Sequence, residues 1–104
     1  MPPWKRSSII RKIADLIRTK QDVLAKWLTL EVGKPFAEGK GEVGATADIF
    51  EWNSEETKRI YGQTVESRFE DTRVHVYYQP VGVVAALVPW NFPLILASRK
   101  ISTA

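Results

Sequence analysis

Pro80-Val81-Gly82-Val83-Val84-Ala85-Ala86-Leu87-Val88-Pro89-Trp90-Asn91-Phe92-Pro93 is the stretch on which the reading of this chain turns. Its Val-rich apolar run predicts a strand over 81–88 buried on both faces, as in parallel sheets. Pro89 cuts the run. Pro93 then stands where a helix would begin, because its fixed φ and missing N–H suit the first helical position. Leu94, Ile95, Ala97, Ser98, Lys100 and Ile101 continue at helical spacing. Strand, tight turn and helix present Trp90, Asn91 and Phe92 at a strand's carboxyl end, where open α/β sheets bind ligands. The expected class is α/β.

Asn91 carries the chemistry of that turn. Its side-chain amide can be aimed as a neutral donor at a developing oxyanion. Equally well, from spacing alone, it can cap the helix that follows. Arg99 and Lys100 add positive charge near the same mouth, or are ordinary surface residues of the helix.

Working back from the turn, Asp71-Thr72 separates segments 64–70 and 73–79. Val74, Val76 and Tyr78 alternate there with Arg73, His75 and Tyr77, which predicts a hairpin with a half-buried second strand. Further upstream, Ser7 or Ser8 is expected to cap a first helix. Ile9, Ile13, Leu16, Ile17, Val23, Leu24, Trp27 and Leu28 form its apolar stripe, with a local interruption at Gln21-Asp22. Gly33 and Pro35 stop that helix. A second helix is expected from about Phe36 to Ile60, with Val43, Ala47, Phe50, Thr57 and Ile60 or Tyr61 inside and Gly62 at its end.

Four other features are set aside. Gly39-Lys40-Gly41-Glu42-Val43-Gly44 fits the G-x-G-x-x-G pattern, but that mechanism needs a preceding strand. Here the glycines lie in a helical pattern after a helix stop, so close helix packing is the better reading. His75 is taken as a surface strand residue, with no carboxylate or nucleophile in matching register. Glu42, Glu51, Glu55 and Glu56 are taken as a solvated face, and the Trp4, Trp27 and Trp52 indoles as core or interface packing.

The 104 residues are 44% hydrophobic and 26% charged, which suits one small folded domain and argues against disorder. A net charge of +3, spread along the chain, leaves no nucleic-acid footprint. No apolar run approaches the ~20 residues of a spanning helix. The opening Met1-Pro2-Pro3-Trp4-Lys5-Arg6 lacks a signal-peptide core, which favours the cytoplasm. Absence of cysteine excludes disulfides, thiolate metal sites and a thiol nucleophile within these residues, and one histidine excludes a His-paired metal site. The last helix stops in mid-pattern and its strand lacks parallel neighbours, so the chain is expected to be a piece of something larger.

The Pro-Trp-Asn-Phe-Pro block and the run before it resemble the signature of the NAD(P)-dependent aldehyde dehydrogenase superfamily. Leu30-Glu31-Val32-Gly33-Lys34-Pro35 is similar to the family's Thr-Leu-Glu-x-Gly-Lys-Pro motif. Residues 37–43, 55–62 and Ser98-Arg99-Lys100-Ile101 resemble its succinate-semialdehyde branch, and the likeness covers essentially the whole chain. The resemblance implies the N-terminal part of that fold: a helical part of the cofactor domain over 1–62 and an oligomerisation hairpin over 63–79. The first strand and first helix of an incomplete Rossmann-like domain would follow over 80–104.

It also implies a mechanism, in which a cysteine thiolate attacks the aldehyde, hydride passes to nicotinamide, and a glutamate-activated water hydrolyses the thioester. Asn91 would give its amide to the hemithioacetal oxygen. Backbone around Val88, Pro89 and Trp90 would touch NAD or NADP, Phe92 would line the substrate tunnel, and Arg99 would hold a far carboxylate. Lys100 matches a family lysine near the site. The cysteine and the general-base glutamate have no counterpart here, and Ser102-Thr103-Ala104 departs slightly from the branch. The expected parent is a homodimer or homotetramer that oxidises a small semialdehyde without metal, nucleic acid or membrane, and the 104 residues alone should be inactive. The rival reading is a short helical interaction protein that pairs with full-length subunits through the hairpin.

Overall fold

A computed structural model describes residues 1–104. Three helices lead: α1 (Pro3–Thr19), α2 (Gln21–Val32) and α3 (Phe36–Glu56). Strands β1 (Gln63–Glu66) and β2 (Arg73–Val76) form an antiparallel hairpin, and α4 (Pro93–Ile101) closes the chain.

α1 begins earlier than Ser7 or Ser8, because Pro3 takes the first helical position. Ser7 is buried inside the helix instead. The expected interruption falls at Lys20, whose φ of −106° and ψ of 17° separate α1 from α2. Gly33 ends α2 in the left-handed region (φ 78°), and its N–H bonds the Thr29 carbonyl. α3 stops at Glu56 rather than Ile60. Beyond it, Lys58 and Arg59 donate to the carbonyls of Glu55 and Glu56, three residues back, and tighten the last turn.

α3 is the spine, packing against α1, α2 and α4. Ala25, Leu28 and Val43 form the innermost cluster, with Ile17, Leu24 and Leu94 against it. Ala47, Phe50 and Thr57 are buried as their spacing requires, whereas Ile60 and Tyr61 are exposed. α2 and α3 approach closely at Gly39, where a Cβ would lie 3.0 Å from the Ala25 carbonyl oxygen. The glycine pattern thus lies within α3, and of its three glycines Gly39 serves close helix packing whereas Gly41 faces open space. Arg11 and Arg18 of α1 pair with Glu51 (Arg11 at 2.8 Å), and Arg18 also pairs with Asp48 at 2.8 Å.

The hairpin pairs Gln63 with Val76, Thr64 with His75, Val65 with Val74 and Glu66 with Arg73. His75 is a surface residue with Thr64 Oγ1 3.1 Å from its Nδ1. Both strands are shorter than expected and exposed on both faces, so the second is not half-buried within this chain. Ile9, Ile13 and Leu16 are likewise exposed on α1, and Trp4, Trp27 and Trp52 are not core residues.

The largest departure lies at 81–88, which is extended but forms no strand. Val83 is 104% exposed and Leu87 81%. A strand needs neighbours for its N–H and C=O groups, and nothing in these 104 residues lies alongside it. One side-chain hydrogen bond reaches it: Lys100 Nζ donates to the Leu87 carbonyl at 2.6 Å.

Surface area measures the same deficit. The chain exposes 8107 Å², against about 5,900 Å² for a folded monomer of its mass. The excess, roughly 2,200 Å², has the size of a large protein–protein interface. The radius of gyration is 18.3 Å, where about 13 Å is usual for this length. No helix is long and apolar enough to cross a membrane.

Candidate functional site

The Pro89–Pro93 turn is built by residues far away in sequence. Pro93 starts α4, and the preceding position is Phe92, whose side chain cannot accept a hydrogen bond. The first N–H groups of α4 need an acceptor from elsewhere. Glu42, on α3, supplies it: its Oε1 accepts from Leu94 N–H at 2.9 Å and from Ile95 N–H at 3.2 Å. A carboxylate suits this place, because the helix dipole and two charge-assisted bonds favour the anion.

The second carboxylate oxygen is also held. Glu42 Oε2 pairs with Lys34 Nζ, and the side chains are only 1% and 9% exposed. The same ammonium donates to the Asn91 carbonyl at 3.1 Å and lies 4.1 Å above the centre of the Phe92 ring. Lys34 reaches the turn because Gly33 reverses the chain and Pro35 starts α3 at once. One buried ion pair thus grips the turn from both ends.

Asn91 itself is exposed, and its carboxamide does not cap α4. Of the two roles that spacing allowed, the cap is therefore taken by Glu42, and the Asn91 amide is left with both donors available. The assignment of Glu42 to a solvated face is corrected. Glu42 lies nine residues from Glu51, about 180° around the helix, and shares its face with buried Gly39, Val43 and Thr46. That spacing was the available signal, obscured by grouping the acidic residues by charge. Glu51 instead faces the Arg11 and Arg18 guanidinium groups of α1, while Glu55 and Glu56 lie toward the surface, where Lys58 and Arg59 hold their carboxyls below the ordinary range.

The other candidates surround the turn. Val88, Pro89 and Trp90 make no backbone hydrogen bond within the chain, and Trp90 is 77% exposed. Phe92 is 47% exposed while its ring also meets the Lys34 ammonium. Arg99 is exposed, without an ion pair in these residues, roughly 9 Å along α4 from Pro93. Lys100 is tied to the Leu87 carbonyl and so braces the extended segment against α4. α4's N-terminus is closed to a phosphate, since Glu42 already occupies its N–H groups. The chain can thus offer a cofactor the free backbone of 88–90, but not the N-terminus of α4.

The profile of the aldehyde dehydrogenase family matches residues 1–104. A succinate semialdehyde dehydrogenase of Acinetobacter baylyi is 50% identical over 100 residues, 96% of this chain and 21% of the relative. A glutarate-semialdehyde dehydrogenase of Pseudomonas aeruginosa is 44% identical over 110 residues, 100% of this chain and 23% of the relative. A crystal structure of an Escherichia coli NADP-dependent enzyme superposes with a TM-score of 0.90 at 45% identity, over 98% of this chain and 21% of that one. The chain spans about a fifth of the length of the curated relatives it matches.

Proposed function

This chain belongs to the aldehyde dehydrogenase family, and we propose that it supplies the oxyanion donor and part of the cofactor surface of a larger semialdehyde-oxidising enzyme. One observation carries the reading: Asn91 is presented on a braced turn with its carboxamide free, because a distant glutamate caps the helix in its place.

In the reaction, the Asn91 Nδ2–H group donates to the oxygen of the aldehyde as negative charge develops there. A fixed donor of this kind stabilises the charged state more than the neutral carbonyl. The backbone of Val88, Pro89 and Trp90 offers unpaired polar groups to NAD or NADP, which when bound takes up the hydride. Phe92 gives an apolar wall to the substrate passage. Arg99 provides a guanidinium whose planar fork suits the far carboxylate of a dicarboxylic semialdehyde. Succinate semialdehyde or its one-carbon-longer analogue is the substrate class that this arginine favours.

The surplus surface supports the same reading. Residues 81–88 and the hairpin expose apolar side chains and unpaired strand edges, which further strands of the complete protein would cover. The hairpin is the surface proposed to join subunits into a dimer or tetramer. The 104 residues alone hold no cysteine and should be inactive.

The test is to isolate the native protein with an antibody against residues 35–62, weigh it, and assay it. A species several times heavier than 11.8 kDa that reduces NAD or NADP with succinate semialdehyde is expected. A native species of 11.8 kDa without that activity would overturn the reading.

A further inference from the structure

Glu42 is the chain's one buried carboxylate, and its partners are the first N–H groups of α4, just after the Pro89–Pro93 turn, and Lys34, which reaches the turn itself. Burying such a pair is not an efficient way to gain stability, because desolvation offsets most of the attraction. What the pair does achieve is geometric. The Leu94 and Ile95 N–H groups are fixed by one oxygen of Glu42, and the Asn91 carbonyl is fixed by the ammonium on the other. With the backbone held at the Asn91 carbonyl and again at the Leu94 N–H, three residues on, the direction in which the Asn91 side chain leaves the turn is restrained.

We propose that Glu42 and Lys34 are positioning residues for the Asn91 carboxamide, an inference that rests on Asn91 being the oxyanion donor. Neither touches substrate. They act through the peptide plane between Asn91 and Phe92, and the same ammonium also rests 4.1 Å from the centre of the Phe92 ring. Glu42→Gln separates the two halves of the device. A carboxamide keeps one oxygen acceptor for the α4 N–H groups, but turns an NH2 donor toward the Lys34 ammonium, itself only a donor. The helix cap survives and the link to Asn91 is lost.

The experiment is a double-mutant cycle in the complete active enzyme, combining Glu42→Gln with Asn91→Ala and measuring kcat and KM for the aldehyde. Glu42→Gln alone should lower kcat by about 10- to 100-fold, the scale of a small misplacement of a catalytic group, with little change in KM. In the Asn91→Ala background the same substitution should cost almost nothing further. Equal losses in both backgrounds would show a general structural effect and overturn the proposal. If Asn91→Ala retains full turnover, the donor reading itself fails, an outcome separate from additivity. Lys34→Met run through the same cycle provides the answer if Glu42→Gln does not fold, since it removes the link while leaving the α4 cap intact.

Discussion

Two glycines of α3, two residues apart, should respond to alanine with opposite signs. Both lie in a helix interior, where Gly→Ala gains about 0.5–1 kcal/mol through chain entropy and propensity. Gly41 faces open space, with nothing within 4 Å of a Cβ built there. Gly41→Ala should therefore stabilise by about 0.5–1 kcal/mol. Gly39 is buried, and its Cβ would meet the Ala25 carbonyl oxygen at 3.0 Å and the Ala25 Cα at 3.4 Å. That oxygen belongs to α2 backbone and also accepts from Thr29 Oγ1 at 3.1 Å, so it cannot swing aside like a side-chain tip. Overpacking of this kind costs about 1–3 kcal/mol. Set against the propensity gain, Gly39→Ala should destabilise by about 1 kcal/mol. Urea midpoints of the purified protein, followed by helical circular dichroism, would compare the two variants with wild type. A Gly39→Ala midpoint raised as far as that of Gly41→Ala would refute the close-packing argument. Unchanged NAD or NADP affinity in Gly41→Ala is expected on the same grounds.

Glu42→Ala should cost about 3–5 kcal/mol, because it strands a desolvated Lys34 ammonium and uncaps α4; adding Lys34→Met should recover part of that in a denaturation series. Gly62→Ala should disrupt the hairpin, since its Cβ would fall 2.6 Å from the Val76 carbonyl oxygen; loss of the amide-exchange protection of β2 would show it. Glu55 and Glu56 have carboxyl groups held below the ordinary 4.5, chiefly by hydrogen bonds from Lys58 and Arg59. Their contribution to the end of α3 is present above that value and is lost as the pH falls through the lower folded values. Melting temperature should therefore drop on acidification less in Glu56→Gln than in wild type, and identical pH profiles would contradict this.

Backbone sterics made several local signals legible, although Pro3 starts α1 where the capping signal pointed to Ser7 or Ser8. Gly33 with Pro35, and Pro93 at the start of α4, needed no tertiary knowledge, because each restricts its own φ. Val43, Ala47 and Phe50 could be read as an inner stripe since α3 has a partner on that face within the chain. The strand at 81–88 could not form for the complementary reason: its apolar pattern encodes neighbours that these residues do not contain. The exposed Ile9, Ile13 and Leu16 follow the same logic. At the site, the turn and the Asn91 amide were visible in Pro89, Asn91 and Pro93, but the device that braces them was not. Lys34 and Glu42 lie 57 and 52 residues from the atoms they hold, Asn91 and Leu94. Only the placement of Glu42 among Gly39, Val43 and Thr46 hinted that its carboxylate was buried.

The most direct test of the account is the turnover of an Asn91→Ala variant of the complete enzyme with succinate semialdehyde. The account expects kcat to fall by ~10²–10³, the usual cost of removing one oxyanion donor, while circular dichroism and subunit association remain those of wild type. Wild-type turnover in that variant would contradict it.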